Sequence, residues 1–281
     1  MDANGQMGFA LSHIANFSAA MVQMNLQRFW AEILREPRYA DPKRLLRHGF
    51  KVYSQHDEDG IIQEIFRRIG TASRTFVEVG VETGVECNTA KLLIEGWRGA
   101  WIEANAQACK AIAANFADFL SDRRLALQQS FVTAENINAL LGTAGFKGEI
   151  DLLSIDIDFN DYWVWKAVEA VRPRVVVIEY NAGLHPPMSV TVPYQPNRAG
   201  DGTNFFGASL EALVRLGAAK GYRIVGCNIS GSNAFFVRED LRADHFLEPA
   251  TAEEHYEPPR HFFSFLLAGP QAPKPGPYVN V

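Results

Sequence analysis

The chain has 281 residues, 47% hydrophobic, 21% charged and 11% aromatic, enough to bury one substantial core and unlike a disordered, collagenous or coiled-coil chain. Its 27 Lys and Arg stand against 32 Asp and Glu, a formal charge of -5, so it offers no basic footprint for nucleic acid or an anionic membrane, and a small-molecule or glycan partner fits better. The three cysteines, Cys87, Cys109 and Cys227, form no CxxC pair and suit neither a disulfide framework nor a zinc site, which makes a reducing cytoplasm the expected compartment.

Ile14, Phe17, Met21 and Met24, then Leu26, Phe29, Trp30 and Ile33, recur at three- and four-residue steps and predict an amphipathic helix. Ser12, His13, Asn16, Gln23 and Asn25 interrupt it, so no membrane span is expected, and Asp2 stands where a secretory signal would carry basic charge. Residues 1–52 read as a helical extension that either packs on its own domain or builds a homo-oligomer.

From Asp57 onward strands and helices alternate. The pattern predicts helices near 57–69, 88–93, 106–119, 135–141 and 162–171. Strands are expected at 75–79, 100–103, 125–129, 151–156 and 175–180. Such alternation implies a parallel sheet covered on both faces, and Val175 to Ile178 form the apolar run of a central strand. A helix over 208–220 and strands at 222–227 and 234–237, joined by a polar turn, close the sheet with an antiparallel C-terminal strand. The fold class is thus α/β, a Rossmann-like doubly wound, mainly parallel sheet spanning residues 53–240. The aperiodic, Pro- and Gly-rich stretch 181–206 reads as a substrate loop. In the tail 241–281, Phe262, Phe263, Phe265, Leu266 and Leu267 should dock on the body, and the proline-rich end should be mobile.

The first strand enters the turn Glu78-Val79-Gly80-Val81-Glu82-Thr83-Gly84, where glycine lets backbone approach a ligand closely. This turn has two glycines with Glu82 between them, unlike the three-glycine dinucleotide fingerprint, so an anionic ligand is disfavoured. Glu103 ends the next strand, where a carboxylate can accept hydrogen bonds from both hydroxyls of a ribose. Ser130 and Phe131 leave the third strand, where a hydroxyl and an aromatic ring could meet an adenine.

With Ser54-Gln55-His56-Asp57-Glu58-Asp59-Gly60 and Asp151-Leu152-Leu153-Ser154-Ile155-Asp156-Ile157-Asp158, these residues resemble the class I S-adenosylmethionine-dependent methyltransferases, more narrowly the FkbM-like group, over about residues 53–237. The resemblance implies a fold that binds S-adenosylmethionine. It places Glu78, Gly80 and Gly84 around the methionine portion, Glu103 at the ribose, and Ser130 and Phe131 at the adenine, with Gln55 also binding the cofactor. Phe159, where such families often have glycine, departs from the pattern. The implied activity is O-methylation of a sugar, glycan or related metabolite. A nicotinamide-dependent oxidoreductase and a non-catalytic Rossmann-like binding module are the rivals.

Asp156, Asp158 and Asn160 mimic the start of a calcium loop, but its sixth and twelfth positions are Asp161 and Ala167, and a strand precedes it. Two readings of Asp156 stay open. It joins Glu179 and Asn181 as a magnesium site, an arrangement resembling metal-dependent O-methyltransferases of the catechol type, or it contacts the cofactor's ammonium. Asp158, Asp161 and His185 are the candidate bases, with His56 a weaker one. Trp163 and Trp165, two apart on a helix, cannot share one face.

Overall fold

The computed structural model describes residues 3–260 and 271–281, and its chain divides into two compact units, Met1–Pro42 and Lys43–Val281. In the first, helix α1 (Ala3–Ile33) covers the predicted amphipathic stretch, and Ile14, Phe17, Met21 and Met24 of its apolar stripe are exposed. No helix among the described residues is long and apolar enough to cross a membrane.

The second unit alternates as its sequence predicts. It runs through α2 (Glu58–Ile69), β1 (Thr75–Val79), α3 (Ala90–Ile94), β2 (Arg98–Glu103), α4 (Ala106–Asn115), α5 (Ala117–Ser121) and β3 (Leu125–Gln129). Next come α6 (Ile137–Thr143), β4 (Gly148–Ile155), α7 (Asp161–Ala167), β5 (Val171–Glu179), β6 (Val190–Thr191) and α8 (Leu210–Ala219). The chain ends through β7 (Tyr222–Cys227), β8 (Asn233–Arg238), α9 (Glu239–Arg242), α10 (Ala252–His255) and β9 (Val279–Asn280).

Seven strands form one sheet in the order β3-β2-β1-β4-β5-β8-β7. The pairs from β3 to β5 are parallel, and β8 runs antiparallel to both β5 and β7. This is the Rossmann-like α/β fold with one reversed strand near its C-terminal edge. Side chains alternate between two cores. Val77 of β1 and Val176 of β5 pack on one face, while Phe76, Val175 and Val177 pack on the other. All five are fully buried, which is why the valine run carries no polar interruption; each such burial is worth about 1.5–3 kcal/mol.

Three elements depart from the sequence reading. The expected helix 106–119 breaks at Phe116, whose φ of -117° leaves the helical region, and α4 and α5 result. The expected helix 162–171 stops at Ala167 because Val171 to Pro173 pair with Gly148 to Ile150 and begin β5 four residues early. The Asn138 side-chain amide caps this stop by donating to the Ala167 carbonyl at 2.8 Å. Finally, the proline-rich end is no loose tail: β9 pairs antiparallel with β6, the Val281 amide donates to Ser189 O at 3.1 Å, and Lys274 N–H donates to Asn204 Oδ1 at 2.7 Å. A two-residue strand in the 181–206 connection gives this end a partner that composition does not reveal. The expected docking of Phe262, Phe263, Phe265, Leu266 and Leu267 lies outside the described residues.

The two tryptophans separate as their spacing requires. Trp165 is buried against Phe236 and Tyr222, whereas Trp163 donates its indole N–H to Val192 O at 2.9 Å, tying α7 to the long connection.

Candidate active site

Strand order reverses between β1 and β4, and the chain leaves their carboxyl ends in opposite directions, which opens a crevice there. A cavity of about 480 Å³ occupies it, a volume in the range of small-molecule sites. Of the residues singled out in the sequence, Gln55, Glu78, Gly80, Glu103, Ser130, Phe131, Asp156, Asp158 and Glu179 line this cavity.

The β1 turn is shaped by backbone needs. Gly80 has φ +77°, and a Cβ there would lie 1.7 Å from the Asp156 carbonyl oxygen, so only glycine lets β1 and β4 diverge so tightly. Gly84 is a different case. It does not line the cavity, and a Cβ on it would meet the Trp101 ring at 2.6 Å; its glycine serves packing behind the turn, which corrects the expectation that it faces a ligand.

Glu103 holds the turn in place. Its Oε2 accepts the N–H groups of Val81 at 3.1 Å and Glu82 at 2.9 Å, and its Oε1 accepts that of Asn105 at 2.7 Å. Oε2 is filled by its two N–H donors, whereas Oε1 keeps one lone pair, so the group has room for one more hydrogen bond from a ligand hydroxyl. Glu82 sits at φ 47° and Asp158 at φ 63°, left-handed backbone that costs a non-glycine residue about 1–2 kcal/mol. Both line the cavity, and such strain gathers at binding sites.

Glu78 works inward. Its Oε1 accepts the Asn88 N–H at 2.8 Å, and its Oε2 accepts the N–H and hydroxyl of Thr89 at 3.0 and 2.5 Å. These are the amides opening α3, where the phosphates of a dinucleotide would otherwise sit. The site therefore supplies its own anion to that helix start. Burial raises the Glu78 carboxyl above its ordinary range, while the Thr89 and Asn88 hydrogen bonds pull it back.

The acids of the Ser54 to Gly60 motif also turn inward. Asp59 Oδ2 gathers the N–H groups of Val52, Tyr53 and Ser54 at 2.7, 2.6 and 2.9 Å. Glu58 accepts from the Asn228 and Asn233 amides at 2.6 and 3.1 Å, and Asp57 accepts the Ile229 N–H at 3.0 Å. The motif knots the segment before α2 to the β7–β8 turn and leaves Gln55 at the cavity wall.

At the far end the carboxyl edge of β4 and β5 is densely acidic. Burial, then the Asp158 and Asp161 charges, push Asp156 up; burial and the Asp156 charge do the same to Glu179. Burial lifts Asp161 to about 7. Asp158 is exposed at the cavity, and partial desolvation, then the Glu103 charge, raise it.

Besides Gly84, three sequence candidates fall away from the cavity. Asn181 donates its amide to the carbonyls of Asn204 at 3.1 Å and Phe206 at 3.0 Å, and its Oδ1 accepts the Gly183 N–H; it braces the long connection and is not available as a metal ligand. His185 lies against Tyr256, ring centroids 5.1 Å apart, outside the cavity lining. Asp161 is fully buried behind the wall, where its Oδ1 accepts the Ile157 N–H at 2.8 Å. It is not placed to meet a substrate hydroxyl.

Sequence reasoning missed Arg198. Its guanidinium lies over Phe159 at 4.5 Å and Phe205 at 5.5 Å and pairs with Asp201 at 3.1 Å, and the residue lines the cavity. The same contact accounts for Phe159, the departure noted in the fourth-strand motif: its ring is the platform for this arginine.

No family model and no curated protein matches the chain. Among solved structures it is similar to a magnesium protoporphyrin IX methyltransferase from Synechocystis PCC 6803 with bound S-adenosylmethionine, at 9% identity over 66% of this chain and 79% of that one, TM-score 0.44. An O-methyltransferase from Bacillus cereus matches at 15% identity over 77% and 89%, TM-score 0.42. An S-adenosylmethionine-dependent methyltransferase from Clostridium acetobutylicum matches at 11% identity over 76% and 99%, TM-score 0.43.

Proposed function

We propose that the chain is an S-adenosylmethionine-dependent methyltransferase of the FkbM-like kind, acting on a hydroxyl of a sugar, glycan or related small metabolite. The observation that carries this reading is the composition of the switch-point cavity. Glu103 stands at the end of β2 with one lone pair of Oε1 to spare, Phe131 is exposed beside it, and Glu78, Glu82, Glu86, Asp156, Asp158 and Glu179 add carboxyl groups to a lining that also holds Arg198 and apolar residues. That donor set fits a ligand with a diol, an adenine face and a positive centre. The Gly80 cradle lets backbone approach it. A dinucleotide is disfavoured because Glu78 already occupies the helix start that its phosphates need.

S-adenosylmethionine supplies a methyl carbon made electrophilic by a sulfonium. Glu103 would accept from a ribose hydroxyl on Oε1, Ser130 and Phe131 would meet the adenine, and Gln55 and Asp156 the methionine end. The chain's further task is to orient an acceptor oxygen in line and take its proton. Asp158, reachable from the cavity and with its basicity raised by desolvation and Glu103, is the base in this reading. A polyhydroxyl acceptor suits a site lined by several carboxyl groups, which accept hydrogen bonds from hydroxyls and, where protonated, also donate one.

Calorimetry with S-adenosylmethionine and with NAD(P), followed by a screen for S-adenosylhomocysteine release against sugars, nucleotide sugars and phenols, tests the proposal. Binding of S-adenosylmethionine alone is expected. Binding of NAD(P) alone refutes it, and cofactor binding without turnover on any acceptor favours a non-catalytic module. With an acceptor found, Asp158→Asn should lower kcat by about 10²–10⁴ and leave cofactor affinity in place; an unchanged kcat removes Asp158 as base.

A further inference from the structure

Asp156 follows β4, Asp161 opens α7 and Glu179 closes β5, and one carboxylate oxygen from each lies within 4.8 Å of the other two. Two of these side chains hold an oxygen that nothing satisfies. Asp161 is fixed through Oδ1 on the Ile157 N–H at 2.8 Å, while its Oδ2 is buried without a hydrogen-bond partner. Glu179 Oε2 is likewise buried and unpartnered. Among the described residues no Lys, Arg or His forms an ion pair with any of the three. Arg198, the basic residue in the cavity lining, is stacked on Phe159 and paired with Asp201.

We propose that Asp156, Asp161 and Glu179 form a binding site for a hard divalent cation at the floor of the cavity. Three carboxylates, with neither nitrogen nor sulfur among them, are the donor set of magnesium, calcium or manganese. The three oxygens lie within 4.8 Å of one another, no more than about twice a calcium–oxygen bond, so calcium enters with the least movement, whereas the shorter bonds of magnesium require the oxygens to draw in further. Asp161 is held rigidly by its backbone bond. Asp156 and Glu179 line the cavity and leave the outer side of such a cation open to water or a substrate oxygen. The set differs from the one read in the sequence: Asp161, one helix start away, replaces Asn181.

Cation binding itself does not depend on the methyl-transfer reading; only its role, polarising the acceptor oxygen beside Asp158, rests on it. The experiment uses the full chain stripped with EDTA, without S-adenosylmethionine. Manganese is titrated and free Mn2+ is followed by electron paramagnetic resonance, with magnesium and calcium as competitors. One saturable Mn2+ per chain is expected, displaced by calcium, with an accompanying rise in Tm. Affinity should fall at least tenfold in Asp161→Asn and in Glu179→Gln, each of which keeps the shape of the side chain and, for Asp161, the bond to Ile157. Absence of saturable Mn2+ in the wild-type chain at millimolar concentration overturns the proposal, as does equal affinity in folded variants. Should Asp161→Asn fail to fold, Glu179→Gln decides. Mn2+ binding without S-adenosylmethionine binding upholds the cation site and overturns only the methyl-transfer reading.

Discussion

Glu103→Gln is the perturbation whose effects the structure fixes most closely. The carboxylate accepts two backbone N–H groups on Oε2, from Val81 and Glu82, and one on Oε1, from Asn105. A glutamine carries one oxygen and one NH2, so in either orientation a donor meets a donor. The milder choice keeps the oxygen toward Val81 and Glu82 and sacrifices Asn105. Losing one charged hydrogen bond costs about 1.5–3 kcal/mol, which lowers Tm by about 3–12 °C at about 2–4 °C per kcal/mol. The same loss of charge facing a ribose diol weakens S-adenosylmethionine binding by about 10–150-fold. Differential scanning calorimetry reads the first effect, and titration calorimetry at a temperature where the variant is folded reads the second. A lower Tm with unchanged affinity would make Glu103 a loop anchor alone and refute the ribose placement; no change in either would refute the hydrogen-bond reasoning as well.

Two further changes test the frame. Gly80→Ala forces a Cβ into the Asp156 carbonyl and a residue into left-handed backbone, with an expected cost of about 2–5 kcal/mol and loss of cofactor affinity; chemical denaturation showing wild-type stability would contradict it. Glu64 is held down to about 2 from an ordinary 4.5 by hydrogen bonds from Arg67 and then Arg68. A depressed carboxyl stabilises the fold above its unfolded pKa, and that share disappears as pH falls from about 4.5 to 2. Glu64→Gln should therefore lose about 1.5–3 kcal/mol at neutral pH and converge with the wild type near pH 2, as read by urea titrations; a constant difference across that window would argue against the assignment.

How far the sequence was legible depended on whether local pattern or distant chain decided a residue's task. The valine run of β5, the turn after β1 and the acid ending β2 are local, and each stands where its spacing predicts. Glu78 shows the limit: its position was legible, but its partners are the amides of Asn88 and Thr89, ten residues on, so its carboxylate faces the helix. Asn181 looked like a ligand because it follows a strand, yet carbonyls from Asn204 and Phe206 claim its amide. Arg198 could be found only once the long connection is seen folding back over Phe159. Asp161 was singled out as a base, and its burial gives it a different place. In each case the deciding neighbour comes from a connection whose path no periodicity encodes.

The pairing of β6 with β9 has a consequence for the timing of local opening. Ser189 and Val281 meet across 92 residues, yet the contact consists of two-residue strands set apart from the seven-stranded sheet. Opening it breaks none of that sheet's ladder, whereas exposing Val176 or Val177 requires parting β5 from both β4 and β8. Backbone amides should then exchange with deuterium in separate cooperative blocks, Val281 and its β6 partners early and the central strands only with global unfolding. The connection beside the cavity should exchange with that early block, and so sample released states many times during the life of a folded sheet.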